Sequence, residues 1–206
     1  MKKGLCLISG GIDSAVAGKI VRDKGYPFDA IHFSIEPFTD SSPEEKSRIL
    51  SKKIGAERFF VIHCGKAFSE FVKNCRHKYY FVLSKRLMIR IACRIAAKEG
   101  LDFIITGEDL GQVSSQTLSN LYSISKVSTL PIIRPLLCYD KQEIIYLAKK
   151  FDTYNISCGP EVCDRLGPKN PATSCHEKFI LHEEMKIDIE HILIEEIDNA
   201  ACESLC

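Results

Sequence analysis

Short apolar runs alternate along this chain with stretches whose apolar residues recur at helical spacing. Residues 4–8 read as a buried strand and 14–24 as a helix. FDAIHFSI (28–35) reads as a second strand, and RFFVIHC (58–64) as a third. Between them, SSPEEKSRILSKKIGA has Ser42 as a cap, Pro43 at its first position, acids in its first turn and Gly55 past its end, which predicts a helix. A long helix over 79–100 closes at Gly100, and a fourth strand over 102–108 runs into a glycine turn. A shorter helix (114–125), an edge strand with prolines (129–136) and a helix capped by Asp140 (140–151) follow. Residues 155–176 read as loop, and 177–199 as a charged amphipathic helix.

This alternation predicts an α/β fold: a doubly wound, mostly parallel sheet of about five strands with helices on both faces. The division expected is one domain over 1–176 and a helical tail over 177–206. In such sheets ligands bind beyond the carboxyl ends of the strands. That rule gathers residues 9–14, the segment after Phe33, and Gly107-Glu108-Asp109 at one rim.

At that rim, Ser9-Gly10-Gly11-Ile12-Asp13-Ser14 joins the first strand to the first helix. A tight turn would account for two glycines. A phosphate cradle accounts for more, because glycines let backbone N–H groups approach an anion and the helix N-terminus adds a positive dipole end. No Lys follows the glycines, so the loop is not a Walker A motif, and the spacing is not the Rossmann Gly-x-Gly-x-x-Gly.

Composition narrows the partners. The chain has 206 residues, 45% hydrophobic and 27% charged, with a formal net charge of +1. A core of ordinary size follows, and a global basic field for gripping RNA does not. Met1-Lys2-Lys3 starts like a signal peptide, but the apolar run breaks at Ser9, and no segment has membrane-spanning length. A cytoplasmic protein is expected, so the ten cysteines are not expected to form a disulfide framework. Cys6 and Cys93 fall in apolar periodic segments and read as core. Cys158, Cys163 and Cys175 fall in a Gly-, Pro- and Asn-rich loop, where thiol chemistry or metal binding is the better reading. A zinc site from Cys158, Cys163, Cys175 and His176 is one option, although the usual short cysteine pair is missing.

The string SGGIDS resembles the PP-loop of ATP pyrophosphatases. TGEDLGQVSSQTLSNL (106–121), LPIIRPLLCYDKQEIIYLAKKFDTYNIS (130–157), PKNPAT (168–173) and KRLMIRIACRIA (85–96) extend the resemblance to the catalytic domain of tRNA 4-thiouridine synthase, the ThiI family of tRNA sulfurtransferases. The resemblance implies an adenine nucleotide alpha hydrolase-like fold and an ATP-dependent sulfurtransferase that adenylates a carbonyl oxygen, releasing pyrophosphate, and replaces it with sulfur. It implies nucleotide contacts at Leu7, Ile8, Ser9, Gly10, Gly11, Asp13, Ser14, His32, Phe33, Lys85, Gly107 and Gln116, with Asp13 ordering the loop or a Mg²⁺ ion. It assigns Cys163 as the thiol that carries or resolves a persulfide, and Asp13 as its catalytic companion. An iron–sulfur cluster on Cys75, Cys163 and one of Cys158 or Cys175 is the alternative route to sulfur.

The implied substrate is a tRNA uridine, with a cysteine desulfurase or sulfide as sulfur donor and no membrane partner. The family's N-terminal THUMP and C-terminal rhodanese segments have no counterpart in these residues, so a separate THUMP-like RNA-binding partner is expected, and a homodimer is compatible. The thiamine thiazole precursor is an alternative sulfur acceptor. A non-enzymatic adenine-nucleotide-binding subunit, using the tail with Cys202 and Cys206, is the reading outside enzymology.

Overall fold

The computed structural model describes residues 1–111, 116–158 and 165–205. Its sheet has the strands β1 (Gly4–Leu7), β2 (Phe28–Ser34), β3 (Arg58–His63), β4 (Phe103–Ile105), β5 (Ile132–Ile133) and β6 (Ala201–Ser204), in the order β5-β4-β1-β2-β3-β6. The first five run parallel, and β6 lies antiparallel on β3. The α-helices are α1 (Ile12–Asp23), α2 (Ser42–Lys53), α3 (Gly65–Asn74), α4 (Tyr80–Lys98), α5 (Leu118–Ser125), α6 (Lys141–Lys150), α7 (Tyr154–Ser157), α8 (Glu177–Glu184) and α9 (Ile189–Asp198).

Successive strand side chains point to opposite faces, and both faces are covered. Leu5, Ile31, Phe60 and Ile62 pack with α3, α4 and α9 on one side. Cys6, Ala30, Phe59 and Ile105 pack with α1, α2 and α6 on the other. Every residue of β2 is buried, as a central parallel strand requires. Phe28 and Phe59 are among the largest fully buried side chains, each contributing roughly 1.5–3 kcal/mol.

The doubly wound parallel sheet agrees with the sequence reading, with five differences, one of them the short α7, which takes up the start of the 155–176 segment that reads as loop. There are six strands rather than about five, because residues 201–204 add an antiparallel edge. The single tail helix expected over 177–199 is instead α8 and α9, broken near Lys186-Ile187-Asp188 where Asp188 caps α9. Ile180 and Leu193 of these helices lie in the main core cluster. Helix α3 was not expected, although Ala67, Phe68 and Phe71 form its buried face. The long edge strand shrinks to two residues. Asp140 does cap α6, in a full capping box with Glu143.

Charges at the amino-terminal edge of the sheet are structural. Buried Asp29 pairs with Lys3 (2.9 Å) and Arg58 (2.7 Å), away from the opposite rim where the loops gather. On α4, Arg86 and Arg90 both clasp Glu184 of α8, and Arg86 donates to the Ser123 carbonyl of α5 at 2.6 Å. This buried network ties three helices to the face that carries the site.

Candidate functional site

The site begins where β1 gives way to α1. Gly10 has φ +80°, the left-handed conformation that glycine adopts without strain. Gly11 is the N-cap and brings no side chain to close the first turn. The loop folds on its own serines. The Ser14 hydroxyl accepts the Ser9 N–H at 3.2 Å and donates to the Gly11 carbonyl at 3.3 Å, while Ser9 Oγ accepts the Gly11 N–H at 3.4 Å. Gly107, just past β4, presses on the same turn: a Cβ there would sit 2.6 Å from Ser14 N. A glycine is required because backbone meets backbone.

Two chambers open from this loop. One, of about 220 Å³, is mainly apolar and is walled by Leu7, Ile8, His32, Phe33, Tyr80 and Phe81 among others. The second, of about 200 Å³, is of mixed character: Asp13, Ser14, Thr106, Glu108 and Gln116 stand in its wall beside Leu7, Met88, Ile89 and Ile124. Leu7, Ser9, Lys85 and Met88 line both, so the chambers meet at Lys85.

His32 has a structural bond in addition to its place in the wall. Its Nδ1 lies 2.9 Å from the Ile8 carbonyl and 3.0 Å from Ser47 Oγ. Ser47 itself donates to the Pro43 carbonyl at 2.7 Å, so Nδ1 carries the hydrogen and donates. Burial lowers its pKa, which keeps the ring neutral and the strut between β1, β2 and α2 intact.

Opposed charges gather in and behind the wall of the second chamber. Lys141, at the start of α6, pairs with Asp13 at 2.7 Å. Glu108 accepts from Lys85 at 2.9 Å, from Arg134 at 2.7 Å and from Thr106 at 3.2 Å. Burial alone would raise this carboxyl, but the Lys85 and Arg134 cations override it and hold it at about 2. Asp109 goes the other way: burial and the Asp13 carboxylate beside it raise its pKa. With its amide nitrogen turned inward, Gln116 donates to the Asp109 carboxylate and, at 3.0 Å, to its carbonyl. Among the described residues, Asp109 Oδ2 is buried without a partner.

The whole rim matches a known family: the model described as "Thiamine biosynthesis protein (ThiI)" covers residues 1–189. This chain belongs to the ThiI family. Its relatives include a probable tRNA sulfurtransferase of Finegoldia magna, 39% identical over 203 residues that make up 96% of this chain and 52% of that protein. A probable tRNA sulfurtransferase of Moorella thermoacetica is 43% identical over 177 residues, 83% of this chain and 45% of that one. This ThiI chain therefore spans about half the length of the curated relatives it matches. A crystal structure of a 4-thiouridine synthetase–RNA complex with bound ATP superposes with a TM-score of 0.93 at 37% identity, covering 98% of this chain and 55% of that one. An NMN synthetase from Francisella tularensis, at 16% identity and a TM-score of 0.55, shares the fold alone.

Within this ThiI chain the expected nucleotide residues converge: each of them lines one of the chambers, except Gly10 and Gly11, which shape the loop between. The described thiols do not converge. Cys163 lies outside the described residues. Cys75 is partly buried; its Sγ donates to the Glu183 carbonyl at 3.4 Å, and burial pushes its pKa to about 11. Cys175 is buried, and burial raises it too. Both pack on the α4 side of the sheet, whereas Cys158 is exposed after α7, whose Tyr154 and Ile156 pack on the α1 side. Among the described residues no three His, Cys, Asp or Glu side chains come together as a metal group.

Sequence reasoning gathered Glu108 and Asp109 at the rim without giving them a role, and missed Lys141, Thr106 and Arg134 as site residues. Nothing local marks them, since each is defined by a partner distant in the sequence or across the turn. Phe81 and Met88 were findable: with Lys85 they stand at i, i+4 and i+7 on one face of α4.

Proposed function

We propose that this chain is an ATP-dependent sulfurtransferase domain acting on a tRNA uridine. One observation carries the reading: an apolar chamber sized for a base joins, at Lys85, a second chamber lined by Asp13 and Ser14 of the first turn of α1. The 37%-identical neighbour bound to ATP and RNA, and relatives named as tRNA sulfurtransferases, support it.

In this reading the base packs among Leu7, Ile8, Phe33 and Phe81. The α-phosphate lies at the Lys85 junction, and the β- and γ-phosphates meet the loop N–H groups and the serine hydroxyls. The uridine O4 attacks the α-phosphorus, the α–β phosphoryl bond breaks, and pyrophosphate departs into the loop. Lys141 steadies Asp13 and adds positive charge near the leaving group. A sulfur nucleophile then adds at C4, and AMP leaves with the former O4. Cys163 relays that sulfur as a persulfide, its outer sulfur handed over from the persulfide of a cysteine desulfurase. Once that sulfur is bonded to C4, a second thiol attacks Cys163 Sγ and the S–S bond to the transferred sulfur breaks. The disulfide left behind is returned to thiols by an external thiol reductant, whereas sulfide, where it is the donor, adds at C4 directly. The orphaned Asp109 oxygen and the Asp13 carboxylate form an oxygen donor set suited to Mg²⁺, which would screen the phosphates. With a net charge of +1, the chain relies on a THUMP-like RNA-binding segment or partner for most of its grip on tRNA.

The test is pyrophosphate release from ATP, together with near-ultraviolet absorbance of thiolated uridine, in the presence of tRNA, sulfide and the THUMP-like protein. Release that depends on tRNA supports the reading. Release that depends on the thiamine thiazole precursor instead would move it to that substrate.

A further inference from the structure

The carboxyl ends of β4 and β5 converge on one side chain that is expected to touch no nucleotide. Glu108 is 7% exposed. Its Oε1 accepts from Lys85 of α4 at 2.9 Å, while Oε2 accepts from Arg134, the residue after β5, at 2.7 Å and from Thr106, the residue after β4, at 3.2 Å. Arg134 is fixed in turn by donating to Ser125 Oγ of α5 at 3.0 Å. One oxygen is thus anchored to the scaffold and the other is offered to Lys85.

Lysine is a compact charge on a flexible four-carbon stem, so its head has no fixed place unless something holds it. Lys85 needs one, because it stands where the two chambers meet. We propose that Glu108 is a positioning residue: anchored by Arg134 and Thr106, it holds the Lys85 ammonium at the chamber junction, where the α-phosphate of a bound nucleotide lies. This rests on the nucleotide reading above. The low pKa of Glu108, from the same two cations, keeps the holding group ionised throughout the working range.

The proposal opposes simple electrostatics. Removing a negative charge from the cleft makes it more positive, and an anion would then bind more tightly. If Glu108 instead works by placing Lys85, its loss weakens phosphate binding. The measurement is the calorimetric affinity of the full chain for adenosine and for AMP, which differ only in the α-phosphate. In Glu108→Gln, AMP should bind about tenfold more weakly while adenosine stays within about twofold. In a Lys85→Met background the same substitution should have no further effect on AMP, because a residue acting through Lys85 is not additive with it. Glu108→Asp covers the case in which the amide misfolds: it retains the charge opposite Arg134 but withdraws the carboxylate by one methylene, and it should show the same AMP-selective loss.

AMP binding that is unchanged or tighter overturns the proposal. So does an equal loss for adenosine, which would mark a merely structural role, or a loss that persists in Lys85→Met. Wild-type protein that binds neither ligand overturns the nucleotide reading itself and this inference with it; binding of both with no Glu108 effect overturns this inference alone.

Discussion

Gly107→Ala is a single-methyl test of how the site is built. The added Cβ would lie 2.6 Å from Ser14 N and 2.7 Å from both Asp13 C and Ser14 Cα, all backbone of the first turn of α1. Ordinary contact begins at 3.4 Å, so the turn and the end of β4 must separate by about 0.8 Å. Overpacking of this kind costs about 1–3 kcal/mol, and for a chain of this length 2 kcal/mol lowers Tm by roughly 4–8 °C. The displaced atoms are those meant to hold pyrophosphate, so ATP affinity should fall about tenfold, in keeping with the steep cost of ångström-scale misplacement. Gly25→Ala is the control. Gly25 has φ +86° and nothing within 4 Å of its would-be Cβ, so alanine there pays about 1–2 kcal/mol of left-handed strain with no effect on the rim. Thermal melts and ATP titrations of both variants decide the matter. If Gly107→Ala binds ATP as tightly as Gly25→Ala, the β4–α1 contact does not shape the phosphate site and the reasoning fails.

Three further outcomes are expected. Asp13→Ala should abolish tRNA-dependent pyrophosphate release while shifting stability by no more than about 1 kcal/mol, because its pair with Lys141 is partly exposed; turnover at the wild-type rate would refute the loop assignment. Cys163→Ser should keep ATP binding and pyrophosphate release but stop thiolation, since a hydroxyl cannot carry a persulfide; thiolation at the wild-type rate, measured on the same tRNA, would shift the role to another thiol. Glu196 is raised to about 7 by burial and by neighbouring Glu195, against a lowering by Lys66. A carboxyl raised on folding contributes stability that is present below its unfolded value near 4.5 and is lost as pH rises through 7. In urea melts, Glu196→Gln should therefore lose less stability than wild type between pH 5 and pH 8; parallel pH profiles would contradict the shift.

Local chemistry explains which parts of this molecule could be read in advance. The parallel strands were legible because strands buried on both faces are largely apolar, as β2 is apart from Asp29, His32 and Ser34, and because glycines and caps punctuate the helices between them. The turn from β1 into α1 was legible because its residues, Ser9 to Ser14, are contiguous. The last strand was not: ACES carries no apolar alternation, all four residues are exposed, and only pairing with β3 makes it a strand. Helix α3 was left unassigned between the third strand and the long helix, although Ala67, Phe68 and Phe71 mark a buried face.

The chemical groups of the site divide along the same line. His32, Phe33, Lys85, Gly107 and Gln116 could be placed at the rim one by one, but their partners could not. Asp13 and Lys141 are separated by 128 residues, Lys85 and Glu108 by 23, and Glu108 and Arg134 by 26. Each pair forms only because parallel strands deliver their carboxyl ends to one edge. The consequence is a division of labour that no stretch of sequence displays. Backbone just past β1 and β4 makes the proposed anion cradle, Lys85 and Met88 of α4 stand in the wall common to both chambers, and the late segments at β5 and α6 send in the charges, Arg134 and Lys141, that pair with the earlier residues. A change in those late elements should therefore act on nucleotide binding through Glu108 and Asp13, without touching the nucleotide itself.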